Sequence, residues 1–476
     1  MLKSISNALS KVFGGNKQDH QDAIEDSEII TSVNKRLITE DEHQIPRRHL
    51  DDNALKVAYR LQDAGFEGYL VGGCIRDLLL NKRPKDFDVA TDAHPEEAAE
   101  LFRRGRLIGR RFKLVHVRFG RDLIEVATFR ASHDSQSEES SGEQGKQCDS
   151  GMILRDNVYG TIEDDALRRD FTVNALYYCP KDHCVYDFAN GYEDLKKGVL
   201  RMIGNPEARY KEDPVRMLRA ARFAAKLNFS IDSASEEPIS ELAPMLKRIA
   251  PARLFDEALK LFQSGHAIQS YQQLQRLDLF EPLFPQVQRL LQSDQLDMPI
   301  EKLIENALKN TDRRLAQRKS VTPAFLFAAI LWYPTQQLMQ KLIRDNKMPP
   351  LPALHEAANQ VIAEQVRSTA IPRRFSTPIR EIWEMQLRLP RRHGNKAARL
   401  MEQPRFRAAY DLLLLREQSG EDLGGLSQWW TDFQNADENA REKMSRNQNN
   451  GKSSKPRRSR RRKPSKKNNE QVNHDG

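Results

Sequence analysis

The sequence predicts an α+β protein: a small head with a mixed sheet, then a long and almost wholly helical remainder. Three observations predict it. Short apolar runs alternate with helical stretches between residues 53 and 129. From Asp213 to about Leu415 apolar residues recur at helical spacing, as in Val215, Leu218, Ala221 and Ala225. After Trp430 the chain turns polar and then strongly basic, which predicts a disordered basic C-terminus.

A chain of 476 residues is too long for one core and calls for several packed units. The formal net charge is +9, and Lys452 to Lys467 contains ten Lys or Arg and no acid. Setting those ten aside leaves about −1 for the rest. The body is therefore near neutral and the tail carries the basicity. Four cysteines, Cys74, Cys148, Cys179 and Cys184, make no disulfide framework and suit a reducing, cytoplasmic setting. Cys179, His183 and Cys184 lack a further pair that would complete a tetrahedral zinc site. The longest apolar run, Ala324 to Tyr333, is half of the ~20 residues that a transmembrane helix needs, and predicts a buried helix instead. The first residues lack the apolar core of a signal peptide. Leu2, Ile5, Leu9 and Val12 would share one helix face, which leaves peripheral membrane contact open beside a frayed polar extension.

In chain order, residues 1–50 are polar and poorly patterned. Asn53 to Ala64 reads as a helix stopped by Gly65, and Gly68 to Val71 as a short strand entering Gly72-Gly73. Cys74 to Leu80 fits a helix, Asp86 to Ala90 a strand, and Pro95 to Phe102 a helix with proline in its first turn. Leu114 to Phe119 and Leu123 to Phe129 are strands turning at Gly120-Arg121-Asp122. Ser132 to Ser150 is rich in Ser, Glu, Gln and Gly and reads as a flexible insertion.

Chemistry concentrates in a few places. Asp86 and Asp88, two apart on a strand, would share a face, and paired carboxylates repel unless a cation lies between them. Mg²⁺ fits two such oxygen ligands plus phosphates. Gly72-Gly73 ends a strand just before a helix, where backbone N–H groups close on phosphate oxygens. Arg76, in the first turn of that helix, is placed to reach a phosphate, with Asp77 ordering it. A lone tight turn would explain the glycines equally well. Glu125, flanked by apolar Ile124 and Val126, is a candidate third carboxylate for a two-metal site, against the simpler reading of an edge-strand Glu facing water. Arg168 and Arg169 are candidate phosphate ligands, while Asp170 and Asn174 would share a helix face and reach ribose hydroxyls. Asp213 and Pro214 make a helix start. Arg216, Arg219 and Arg222 then lie on one face, a wall on which a carboxylate–Arg pair would read a base edge.

The motifs GGCIRDLLL, KDFDVAT, LRRDFTVNALYY, DFANGYEDL, RMIGNPEARY and EDPVRMLRAARFAAKL follow one another over residues 50–265. In that order they resemble the class II nucleotidyltransferases, which include tRNA CCA-adding enzymes and bacterial poly(A) polymerases. IGRRFKLVHV, the long insertion, PAFLFAAILWYP, FRAAYDLLLLR and the basic tail resemble the poly(A) polymerase branch, more loosely, to about residue 430. Cys74 departs from the commoner Gly or Ala after the glycine pair.

The resemblance implies a nucleotidyltransferase head over 51–180 with its insertion at 132–150, behind a polar extension at 1–50. It implies a neck at 181–265 for nucleotide and RNA, a helical RNA-binding body at 266–430, and a disordered basic tail at 431–476. It implies Asp86 and Asp88 as the metal-binding pair, Glu125 and Asp170 as candidates for the third functional carboxylate, and Asp213 with Arg216 for the incoming base. The implied reaction is template-independent addition of AMP from ATP to RNA 3′ ends with two Mg²⁺ ions. ATP and RNA would be substrates, and RNA decay machinery a candidate partner. CCA addition to tRNA and a non-catalytic RNA-binding role remain as alternatives.

Overall fold

A computed structural model describes residues 35–109, 113–131, 145–147, 153–156, 158–293 and 298–447. It divides into two compact units, 1–380 and 381–476.

The first unit opens with the head. Its sheet contains β1 (Arg36–Ile38), β2 (Tyr69–Val71), β3 (Asp88–Thr91), β4 (Gly105–Ile108), β5 (Leu114–Phe119) and β6 (Asp122–Thr128). A hairpin of β7 (Gly145–Gln147) and β8 (Ile153–Asp156) stands apart, and β9 (Leu176–Cys179) and β10 (Cys184–Asp187) complete the sheet. Strand order is β1-β10-β9-β2-β3-β6-β5-β4. Only β3 and β6 run parallel; the other pairs in this sheet are antiparallel, so the sheet is mixed, as expected.

Helices α1 (Glu40–His43), α2 (Asp52–Asp63), α3 (Gly73–Leu79) and α4 (Pro95–Leu101) come next in the head. The Asp51 carboxylate caps α2 by accepting from the N–H groups of Asn53 and Ala54, both at 2.9 Å. Side chains alternate across the strands. Leu70, Val89, Val126 and Tyr178 face a core shared with Leu55, Ile75 and Ala98. Val71, Ala90 and Tyr177 face a second core with Phe129, Ile162 and Phe188. Each buried large aliphatic contributes about 1.5–3 kcal/mol. Both faces are thus covered, and polar groups collect at the ends of the central strands.

Helices α5 (Ile162–Arg168), α6 (Gly191–Lys197), α7 (Pro206–Glu212) and α8 (Val215–Leu227) follow. Asn205 caps α7 at the Ala208 N–H, 2.9 Å away, with Pro206 in the first turn. Beyond Ser233 the described residues are helical, and Pro323–Ile330 is the buried helix predicted from its apolar run. No described helix is long and apolar enough to cross a membrane. The second unit has its own core around Phe406, Tyr410, Trp430 and Phe433.

Several expectations need correction. The stretch expected as an extension includes β1 and α1, because Ile38 is fully buried against the sheet edge. The head sheet also takes β10 from beyond residue 180. Within the expected flexible insertion, residues 145–147 pair with 153–156; the rest of 132–150 lies outside the described residues. Helices Leu426–Asn435 and Glu438–Asn447 carry order past residue 431, since Trp430 and Phe433 anchor them to the local core. The basic stretch 448–476 and the N-terminal face of Leu2, Ile5, Leu9 and Val12 lie outside the described residues.

Candidate active site

A row of side chains crosses one face of the sheet. Register places Val71 beside both Asp88 and Tyr177, Asp88 beside Glu125, and Glu125 beside His116. Glu125 is therefore on an interior strand, not an edge. Its carboxylate is 3.4 Å from His116 Nε2. Asp86 stands just before β3, which begins at Asp88 rather than at residue 86. The same-face argument for a strand does not reach it, yet its charge is felt at Asp88. Asp86 is 74% exposed, and its nearest cation is Lys85 at 3.8 Å.

Asp88 is exposed at the start of β3. Partial loss of water, followed by repulsion from Glu125 and Asp86, pushes its carboxyl up to about 6; Arg169 opposes this. Repulsion of this kind marks a place short of positive charge. Among the described residues no three His, Cys, Asp or Glu side chains already converge on a point that an ion would take. The donor set nonetheless fits Mg²⁺: hard carboxylate oxygens from Asp86, Asp88 and Glu125, with Asp86 free to turn.

The glycine turn lies on the same side. Gly72 has φ +77°, a conformation that L side chains rarely adopt. A Cβ there would lie 3.2 Å from Arg169 Nη1. Gly73 begins α3, and the Cys74 thiol that follows is buried, donates to the Val71 carbonyl at 3.3 Å and is pushed up to about 12 by burial and by Asp88. Arg169 donates through Nε to the Tyr177 hydroxyl at 2.8 Å and through Nη2 to Asp165 at 3.0 Å. Against the cost of burial, these two hold it charged, above its ordinary value.

Arg76 does not reach outward as expected. It is 2% exposed; Nε donates to Asp77 at 2.8 Å and Nη1 to the Asn174 side-chain carbonyl at 2.6 Å. Asp77 does order Arg76, and also accepts from Lys226 at 3.1 Å. Asn174 donates to Asp170 at 2.9 Å, and Arg219 Nε donates to the other Asp170 oxygen at 2.7 Å. The result is one hydrogen-bonded chain: Asp77, Arg76, Asn174, Asp170, Arg219. Burial would raise the Asp170 carboxyl, but Arg219 and Asn174 hold it well below the usual carboxylate range. Residues 170 and 174 do not share a helix; a 3₁₀ turn at Thr172–Asn174 brings them together. Phe223 lies under this chain, with the guanidinium carbons of Arg76, Arg219 and Arg222 at 5.1, 5.2 and 4.4 Å from its ring centre.

The Arg216, Arg219 and Arg222 row forms on α8, but not with the pairing expected. Asp213 accepts from Arg253 at 2.6 Å, on the helix Pro251–Phe262, while Arg216 pairs with Glu212. Burial raises the Asp213 carboxyl and Arg253, then Arg216, outweigh it. Arg168 donates to the Ala131 carbonyl. Arg209 clamps the carbonyls of Arg168 and Arg169 and is pushed down to about 10 by burial and by Arg216. Sequence reasoning gave no role to Arg209, Tyr177, Phe223 or Arg253. The arginine of PAR251–253 carries no spacing signal toward Asp213, forty residues away.

Three family models match the chain: a poly A polymerase head domain at 68–201, a probable RNA and SrmB-binding site of polymerase A at 228–291, and a polymerase A arginine-rich C-terminus at 346–464. Poly(A) polymerase I of Salmonella typhimurium is 48% identical over 437 residues, 91% of this chain and 92% of the relative. The CCA-adding enzyme of Lactobacillus helveticus is 38% identical over 219 residues, 46% of this chain and 52% of that one. A solved CCA-adding enzyme in an apo form shares the fold, with TM-score 0.59 and 21% identity over 84% of this chain and 87% of that one.

Proposed function

The chain belongs to the poly(A) polymerase family, and on that premise we propose how its head and neck work: template-independent addition of AMP from ATP to RNA 3′ ends, with release of pyrophosphate. The observation that carries this reading over CCA addition is extent. The poly(A) polymerase relative matches 91% of the chain, and the CCA-adding relative 46%.

Asp86, Asp88 and Glu125 would hold Mg²⁺. Bound there, the metal supplies charge neutralisation on the triphosphate and a lower pKa for the attacking hydroxyl. The residues do the rest. The Gly72-Gly73 turn orients the triphosphate, with the Arg169 charge beside it. Asp170, Asn174 and Arg76 form a buried brace whose work is to fix Arg219 over Phe223. Asp213 with Arg253, and Arg216 with Glu212, line the base pocket and exclude a template. In-line geometry then follows from position alone, without a covalent intermediate. Asp170 is a positioning residue on this account, and Glu125 the third carboxylate. Burial of Cys74 and Cys179 as free thiols suits the cytoplasm, and a 3′ tail suits RNA decay machinery as partner.

Extension of a labelled, unstructured RNA with each nucleoside triphosphate tests the assignment, beside an Asp86→Ala/Asp88→Ala control. A long ladder with ATP alone, absent in the control, is expected. Addition of only C and A to a truncated tRNA would move the chain to the CCA branch. No activity on either RNA would leave a binding protein.

A further inference from the structure

The head has a cation-rich cavity of about 600 Å³ that adjoins the carboxylate row through Lys85. One wall is Arg48 to Asp51, and the other is the loop from α3 to β3, which supplies Lys82, Arg83 and Lys85. Leu78 and Phe87 supply apolar lining, and both pack on the core between the sheet and α2–α4. Asp51 is the only acid in the lining, and its carboxylate is committed to capping α2.

The cavity gathers several cations whose charge is uncompensated. Other cations of the head are paired, among them Arg36 with Glu193 at 2.6 Å, Lys113 with Glu96 at 2.8 Å and Arg169 with Asp165 at 3.0 Å. Among the described residues the side chains of Arg48, His49, Lys82 and Arg83 have no hydrogen bond or ion pair, and Lys85 has only the 3.8 Å approach to Asp86. Cations gathered at one hollow repel one another. A bound polyanion relieves that repulsion and releases its counterions to solvent. The cavity is far larger than one phosphate requires and has apolar walls for a sugar or base.

We propose that this cavity binds the phosphodiester backbone of the RNA substrate, upstream of the reacting 3′ end and separately from the nucleotide pocket. The inference rests on the RNA-extending activity above. Lys85 and Phe87 line the cavity while their neighbours Asp86 and Asp88 belong to the catalytic row. A strand held in the cavity is thus anchored within one loop of the reacting atoms.

The test uses the full chain with Arg48→Ser, Lys82→Ser and Arg83→Ser combined. Binding of a labelled, unstructured RNA is followed by fluorescence anisotropy over a range of KCl concentrations. Each phosphate contact contributes about 0.7 to the slope of log affinity against log salt, so the slope should fall by about two and the affinity by about tenfold. ATP affinity, measured by equilibrium dialysis, should not change. Arg48→Lys with Arg83→Lys should keep the wild-type slope. An unchanged slope and RNA affinity in a folded triple variant would overturn the proposal, as would a matching loss of ATP affinity, which would make the cavity part of the nucleotide site. If the triple variant does not fold, Lys82→Ser and Arg83→Ser singly should each lower the slope by about 0.7. A wild-type chain that extends RNA while the variants bind it normally sinks the cavity alone. A wild type that binds RNA and extends nothing sinks the activity alone.

Discussion

The carboxylate row and the buried brace differ in how they handle charge. On the head, Asp86, Asp88 and Glu125 lie together with little to neutralise them, and Asp88 is pushed up to about 6. In the brace, Asp170 is buried, bound to Arg219 and Asn174, and held below the usual carboxylate range. On the proposed function, the first group takes a cation. The second is complete, and its polar groups stiffen one another. Under the proposed function, a motif of carboxylates and arginines in sequence therefore contains two kinds of residue: those kept available for substrate and metal, and those that hold the others still.

Four measurements would break or sharpen that contrast. Asp88→Asn should lower AMP incorporation by roughly 10³-fold, because metal affinity and charge neutralisation go together. Its thermal transition should stay where it is or rise, since repulsion is relieved; a large fall would show that Asp88 supports the fold. Asp170→Asn should do the reverse in kind. A buried pair is broken, so urea denaturation should show a loss of about 3 kcal/mol. Displacement of Arg219 should lower incorporation by roughly 10²-fold. An Asp170→Asn chain with wild-type stability would refute the brace.

Gly72→Ala comes next. The positive φ costs a side chain about 1–3 kcal/mol, and the new Cβ presses on Arg169. KM for ATP should rise by about tenfold with RNA binding unchanged. The smallest effect is in pH. A carboxyl whose folded pKa is raised makes the fold more stable as pH falls through that value; one whose folded pKa is depressed makes it less stable as pH falls below the ordinary carboxylate value. Wild type should therefore gain on Asp88→Asn as pH falls through about 6, and lose its advantage over Asp170→Asn only below about 4. Urea midpoints of the three proteins from about pH 2 to about pH 8 would check both signs.

Much of the head was legible because its signals are local. Strand β5 falls at Leu114–Phe119 as predicted, and α2, α3 and α4 lie within a residue or so of their expected bounds. Glu125 could be singled out because a carboxylate between Ile124 and Val126 contradicts its own surroundings. What escaped is set by pairing across long separations. β1 is three residues long, too short to show a period, and is defined by its partner some 150 residues on. Arg253 reaches Asp213 only because two helices pack. Arg76 looked outward from its place in a first turn; it turns inward because Phe223, Asp77 and Asn174 give its guanidinium a better home than water.

The single parallel pairing in the sheet sets how this gene can change length. Asp88 stands beside Glu125, and the ladder ends with Thr91 beside Thr128, locked where the Thr128 hydroxyl donates to the Ala93 carbonyl at 2.7 Å. Between those strands lie α4, β4 and β5, and the Gly120-Arg121 turn has open space around Gly120. A codon added at that turn leaves the ladder in register. One added between Glu125 and Thr128 turns Glu125 to the opposite face, because side chains alternate with a period of two. Insertions near this carboxylate are thus counted by parity, and under the proposed role of Glu125 an odd one should abolish activity.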